Sequence, residues 1–273
     1  MSKYQYENIK VDIYDKVAHV QLNRPKKLNA FNPGLIDDVG NVFRAMSDDK
    51  DLSVIVVSGS GRMFTAGLDL GNTGITLLTE GDPARLAYNK RAHIKHFQDA
   101  FTAIEKCEKP VIAAVHNGCY GAGVDLITAC DIRYCTKDAL FCVKEVDVGL
   151  AADVGTLQRL PKVMGNQSLV RELCLSARNL YAPEAFQHGL VSRVFDKHEE
   201  MIAEALKMGA LIASKSPVAV LGTKHNLIYS RDHTVSEGLD YILTWNSAML
   251  TTEDIPKSFE AFVTKEKPVF SKL

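Results

Sequence analysis

The segment Val111-Ile112-Ala113-Ala114-Val115-His116-Asn117-Gly118-Cys119-Tyr120-Gly121-Ala122-Gly123-Val124-Asp125 joins an apolar run to a glycine-rich turn and then to a helix-like stretch. Five apolar residues in a row, cut off upstream by Lys109-Pro110, are what a strand covered on both faces requires. A second segment repeats the plan. Val54-Ile55-Val56-Val57 runs into Ser58-Gly59-Ser60-Gly61-Arg62-Met63-Phe64-Thr65-Ala66-Gly67-Leu68-Asp69-Leu70. Buried strands alternating with helical segments over short connections predict an α/β chain with a largely parallel sheet.

Working outward, residues 8–14 and 18–22 alternate polar and apolar side chains around Tyr14-Asp15-Lys16, the pattern of a hairpin. Asn32-Pro33 opens a helix through Met46, with Pro33 in its first turn. Residues 83–107 are helical in pattern. After Pro183 the character changes: residues 199–214, 217–230, 235–249 and 252–264 all read as helices. This predicts a core over residues 1–200 and a helical subdomain over 201–273.

The chain has 273 residues, 32 Lys plus Arg against 33 Asp plus Glu, and a formal charge of -1. Without a basic surplus, a phosphate-neutralising surface is not expected, which disfavours nucleic acid as a partner. The longest apolar runs are strand-sized, so a membrane span is not expected either. Six cysteines form no CxxC and no zinc spacing, and read as reduced thiols. His93 and His96 lie one helical turn apart, but no third ligand accompanies them; they read as a solvated helix face, and no metal site is expected.

The two glycine-bearing turns fail as nucleotide loops. Gly59-Ser60-Gly61 would need glycine at position 64, which is Phe64, and neither GxxxxGK[ST] nor GxSxG occurs. Turns of this kind can instead leave backbone N–H groups unpaired at a helix start, and a pair of such donors stabilises an oxyanion. Three carboxylates follow in an otherwise apolar tract: Asp125, Glu145 and Asp153. Asp153 also reads as a cap for a helix over residues 154–160, and Glu145 with Asp147 as the wet face of a strand. Gathered near an apolar cleft, the three would repel one another and be desolvated, and at least one would hold a proton.

Together these stretches resemble the crotonase, or enoyl-CoA hydratase/isomerase, superfamily over essentially the whole length. The resemblance is carried by Leu22-Asn23-Arg24-Pro25-Lys26-Lys27-Leu28-Asn29-Ala30-Phe31, Phe64-Thr65-Ala66-Gly67-Leu68-Asp69-Leu70, the tract from Val115-His116-Asn117-Gly118 to Asp131-Ile132-Arg133, and Gln158-Arg159-Leu160-Pro161. It implies a spiral of ββα turns with a C-terminal helical region that builds a homotrimer, or a homohexamer of two trimers. It implies an acyl-CoA thioester as substrate and no further cofactor.

Carried over by position, the oxyanion donors are the amides of Leu68 and Ala122, the latter standing where the family often has glycine. The CoA contacts fall on Lys26, Lys27, Leu28, Ala66, Gly67, Asp69 and Leu70, with Phe262 and Lys265 reaching CoA from the C-terminal helix. The acyl chain-length preference does not follow from the sequence; the wall of the tail pocket is expected between Leu77 and Phe97, to be placed by the structure. Asp125 and Glu145 occupy the positions of the hydratase glutamates, whereas Asp153 replaces a small residue. The trio resembles the branch that isomerises 3,5-dienoyl-CoA to 2,4-dienoyl-CoA. A hydratase or Δ3-Δ2-enoyl-CoA isomerase is the alternative within the superfamily, and an RNA-binding or scaffold homologue is the non-enzymatic one. The tripeptide Ser271-Lys272-Leu273 matches the signal read by the peroxisomal import receptor, so import into peroxisomes is expected.

Overall fold

Ile9–Tyr14 (β1) and Val17–Leu22 (β2) form an antiparallel hairpin, and β2 pairs in parallel with Val54–Gly59 (β3), whose apolar run is buried along its whole length. The computed structural model describes residues 3–71 and 82–273. The sheet continues in parallel through Val111–Val115 (β4), Ile132–Thr136 (β6) and Arg193–Phe195 (β9), giving the order β1-β2-β3-β4-β6-β9. A second, three-stranded sheet is built from Gly118–Tyr120 (β5), Leu140–Cys142 (β7) and Leu180–Tyr181 (β8). The largely parallel α/β reading holds in the main sheet, and β5, β7 and β8 add a small mixed sheet beside it.

One face of the main sheet is covered by Pro33–Ser47 (α1) and Pro83–Lys106 (α2). Asn32 caps α1 by accepting from the Leu35 amide at 3.0 Å, with Pro33 at the first helical position. Phe31 and Phe101 are fully buried and meet edge to face at 5.5 Å in the resulting core. Ala122–Thr128 (α3) follows β5, and Thr156–Val163 (α4) packs on it. The smaller helices Gln167–Ser176 (α5) and Ala182–Gln187 (α6) close this end.

The expected boundary at residue 200 falls inside His198–Ala213 (α7), and the structure corrects it. Met201 and Ala205 of α7 pack on Val17, Val54, Val56, Ile112 and Tyr134, so α7 completes the second face of the sheet. The helices beyond it, Pro217–Arg231 (α8), Val235–Met249 (α9) and Asp254–Thr264 (α10), form the outer layer. Their bounds follow the predicted segments closely. Polar contacts help tie this layer down: buried Lys224 of α8, for instance, donates to Asp131 Oδ2 at 2.8 Å and to the Lys109 carbonyl at 3.0 Å. All six cysteines are free thiols. The expected tail-pocket wall is described from position 82 onward; its residues 77–81 lie outside the described residues.

Because Phe101 is fully enclosed between α1 and the sheet, truncating it leaves a cavity. Phe101→Ala is expected to lower the unfolding free energy by about 3–5 kcal/mol in a denaturant titration.

Candidate active site

The two glycine-bearing loops meet backbone to backbone. Thr65 N–H donates to the Gly118 carbonyl at 3.0 Å and Tyr120 N–H donates to the Thr65 carbonyl at 3.2 Å. Gly67 sits in the left-handed region at φ 87°, and a Cβ there would stand 2.9 Å from the Tyr120 carbonyl oxygen. Conformation and close approach both call for glycine. From this junction Leu68 and Ala122 line one cavity of about 310 Å³.

The groups on either side of Leu68 are occupied: Phe31 N–H donates to the Gly67 carbonyl at 2.8 Å, and Asp69 N–H donates to the Phe31 carbonyl at 2.9 Å. Among the described residues, neither the Leu68 amide nor the Ala122 amide finds an acceptor. Ala122 is the first residue of α3, where amides have no intrahelical partner, and its φ is not positive, so alanine fits there as well as glycine. A carbonyl oxygen that gains charge in the cavity would have both amides to meet it.

All three candidate carboxylates line the same cavity, among Ile94, Phe97, Val148, Leu150 and Val154. Asp125, one turn into α3, is fully buried. Its Oδ1 accepts from the Thr156 amide at 2.5 Å, while Oδ2 has no partner. Burial pushes its pKa up to about 7 against the contact with Thr156, and the Glu145 charge adds to the rise.

Glu145 opens a single 3-10 turn, Glu145–Val148, rather than lying on a strand. Its Oε2 is buried without a partner; burial raises its pKa and the charge of Asp153 raises it further. Asp147, on the same turn, points to solvent and pairs with Lys144. Asp153 stands at the mouth, open on one side, and partial desolvation still raises its carboxyl while His93 works in the opposite direction. The capping role read for Asp153 is corrected: α4 starts at Thr156, and the carboxylate bound to its first amide is that of Asp125.

Comparison with known proteins gives the same answer along the whole chain. A family described as Enoyl-CoA hydratase/isomerase matches residues 12–272. The chain belongs to this family. It is 55% identical over 279 residues to a mouse protein named Delta(3,5)-Delta(2,4)-dienoyl-CoA isomerase, mitochondrial, covering 100% of this chain and 85% of that one. It is 44% identical to the Arabidopsis thaliana protein named Delta(3,5)-Delta(2,4)-dienoyl-CoA isomerase, peroxisomal, covering 98% of this chain and 97% of the relative. The crystal structure of an enoyl-CoA hydratase from Bacillus anthracis superposes with a TM-score of 0.87 at 25% identity, covering 97% of this chain and 99% of that one. This likeness carries the crotonase spiral.

The residues expected to hold CoA are spread more widely. Ala66, Gly67 and Leu70 line the cavity. Leu28 is joined to its wall, its carbonyl accepting from the Ala66 amide at 2.9 Å. Lys26 and Lys27 are exposed on the 3-10 turn Pro25–Lys27, and Asp69 pairs with Arg24 at 3.2 Å. Phe262 lies in the groove between α8, α9 and α10, and Lys265 ends α10; neither borders the cavity of its own chain.

The reading of His93 and His96 as one solvated face is half corrected. His96 is half exposed and pairs with Asp37 at 2.7 Å. His93 lines the cavity, its ring tilted at 51° against Phe97 with centroids 4.7 Å apart, and its Nε2 is buried and unpartnered. A signal was present in sequence: His93, Ile94 and Phe97 share one stripe at helical spacing. What it faced was not.

A buried carboxyl with a raised pKa favours the fold while it holds its proton; that contribution is lost as pH rises through about 7. Asp125→Asn removes the cost of ionisation. The variant is expected to be more stable than the parent at about pH 8, by roughly 1–4 kcal/mol, the gap closing toward about pH 4. Melting temperatures across that range check it.

Proposed function

We propose that the chain is a Δ3,5-Δ2,4-dienoyl-CoA isomerase of fatty acid β-oxidation, shifting the two double bonds of a 3,5-dienoyl-CoA to positions 2 and 4. The single observation that carries this reading is the third carboxyl: Asp153 lines the same apolar cavity as Glu145 and Asp125, under the Leu68 and Ala122 amides. The full-length similarity to proteins named as such isomerases supports it.

The chemistry follows from the site. The thioester and the adjoining diene acidify the C2 protons. Asp153, the most solvated of the three, takes a C2 proton as general base. The electron pair of that bond enters the conjugated system: C2=C3 forms, C3=C4 moves to C4=C5, and C5=C6 opens to leave charge on C6. In the dienolate the negative charge is shared with the thioester oxygen, which the Leu68 and Ala122 amides bind.

Glu145, deeper and facing the charge of Asp153, holds a proton and delivers it to C6. One proton leaves and one arrives, so no co-reactant is needed. Two carboxyls divide the work because C2 and C6 are too far apart for one short side chain. Asp125, buried beside Glu145, orients that acid and tunes its proton affinity.

The same proposal includes assembly. The outer layer exposes Leu239, Leu243, Leu250, Phe259 and Phe262, the last 86% exposed; Leu250, Phe259 and Phe262 line a groove between α8, α9 and α10. Further copies of the chain, as a homotrimer or homohexamer, would cover this surface. Peroxisomal location is also proposed, from Ser271-Lys272-Leu273 and the name of the Arabidopsis relative; the mouse relative is named mitochondrial.

Absorbance of the conjugated dienoyl thioester is expected to grow when the protein meets a 3,5-dienoyl-CoA, and to outpace hydration of crotonyl-CoA measured in parallel. Asp153→Asn and Glu145→Gln are each expected to reduce this isomerisation by about 10²–10⁴ with the fold intact. Near-normal turnover in either variant would overturn the assignment of that carboxyl.

A further inference from the structure

Behind Asp125 lies a partly buried ion cluster that joins three helices. Arg159 of α4 donates through Nε to Glu105 Oε1 of α2 at 3.2 Å, and through Nη2 to Glu105 Oε2 at 3.3 Å and Thr102 Oγ1 at 3.1 Å. From the outer layer, Arg231 of α8 donates through Nη1 to the same Glu105 Oε1 at 2.6 Å. Burial works against the Glu105 carboxylate, yet hydrogen bonds from both guanidinium groups hold it below its usual range. One negative charge between two positive ones leaves the triad with a net positive charge.

The cluster reaches the site through Gly155. A Cβ at that position would overlap Arg159 Nη1 and would lie 3.9 Å from Asp125 Oδ1. Gly155 precedes Thr156, whose amide donates to that same Asp125 oxygen. The guanidinium therefore backs the peptide that holds the buried carboxyl.

We propose that the Glu105–Arg159–Arg231 triad is a positioning device for Asp125, seating the start of α4 behind that carboxyl and making the docking of α8 part of its electrostatic surroundings. Arg159 and Arg231 are thus positioning residues, acting through Thr156 and through charge. The other groups facing Asp125 are Glu145 across the cavity, Asp153 beyond it and the Cys119 thiol on β5. The charge of Glu145 favours the protonated form of Asp125, and Arg159 opposes it. At the outer end, Asp232 pairs with Arg231 at 3.1 Å and with Lys162 at 3.3 Å.

The sign of the effect separates this role from plain packing. Removing the Arg231 charge leaves no net positive charge in the triad, so Asp125 should hold its proton to higher pH. Removing the Glu105 charge strengthens the positive field, so Asp125 should release its proton at lower pH. A cluster that merely packed helices together would not move the carboxyl in opposite directions.

The experiment is an infrared pH titration of the full chain without substrate. It follows the protonated-carboxyl band that is present in the parent and missing from Asp125→Asn. The band midpoint is expected to rise by roughly half a pH unit or more in Arg231→Gln, to fall by a similar amount in Glu105→Gln, and to return toward the parent in Arg231→Lys. Midpoints that stay put in folded variants, or move the same way in both, would overturn the proposal. Should Glu105→Gln fail to fold, the contrast between Arg231→Gln and Arg231→Lys decides alone. Because no turnover is read, the outcome is independent of whether the chain isomerises dienes.

Discussion

The backbone around Gly67 passes the backbone around Tyr120 at a distance no side chain could share, and the rest of the site is built on that contact. Two parallel strands, β3 and β4, deliver their exits to the same place because they are neighbours in the sheet. The Thr65 and Tyr120 hydrogen bonds then lock the exits together, and the amides that follow, Leu68 and Ala122, are left facing one cavity. The beginning of α3 at Ala122 fixes the next consequence. Asp125 lies one turn further along and is carried, fully buried, to the wall of the cavity.

Burial then does most of the electrostatic work. The three carboxyls are graded by depth, from enclosed Asp125 through Glu145 to Asp153 at the mouth, and all three are raised. An apolar wall contributed by α2 and by residues 148–154 removes the water that would otherwise level them. Three neighbouring carboxyls, each with its pKa raised, favour keeping a proton among them. This is the property a proton transfer between two carbons requires.

Much of the fold was legible because it is written in local chemistry. Continuous apolar runs marked β3 and β4, Asn32-Pro33 marked the start of α1, and the outer helices ended within two residues of their predicted bounds. The exceptions involve partners distant in sequence. The domain boundary was misplaced because α7 is amphipathic like its followers, and nothing local says that its apolar face meets the sheet. Asp153 read as a helix cap because it stands near the start of α4, yet Asp125, 31 residues before Thr156, takes the Thr156 amide. His93 and His96 looked alike in sequence, and only the packing of α2 turns one into the cavity and the other to Asp37.

By itself the sequence determined the order of elements, the identity of the three acids, the two glycine-bearing turns and the family to which the chain belongs. Each of these rests on residue type or on spacing within a few positions, where sterics and hydrogen bonding act directly. Tertiary structure alone decided which acids share a cavity, how deeply each is buried and what stands behind them. Those are properties of segments brought together across the sheet, from Leu68 through Asp153 to Arg231. Solvation and Coulomb interaction depend on distance in space, and distance along the chain does not fix it.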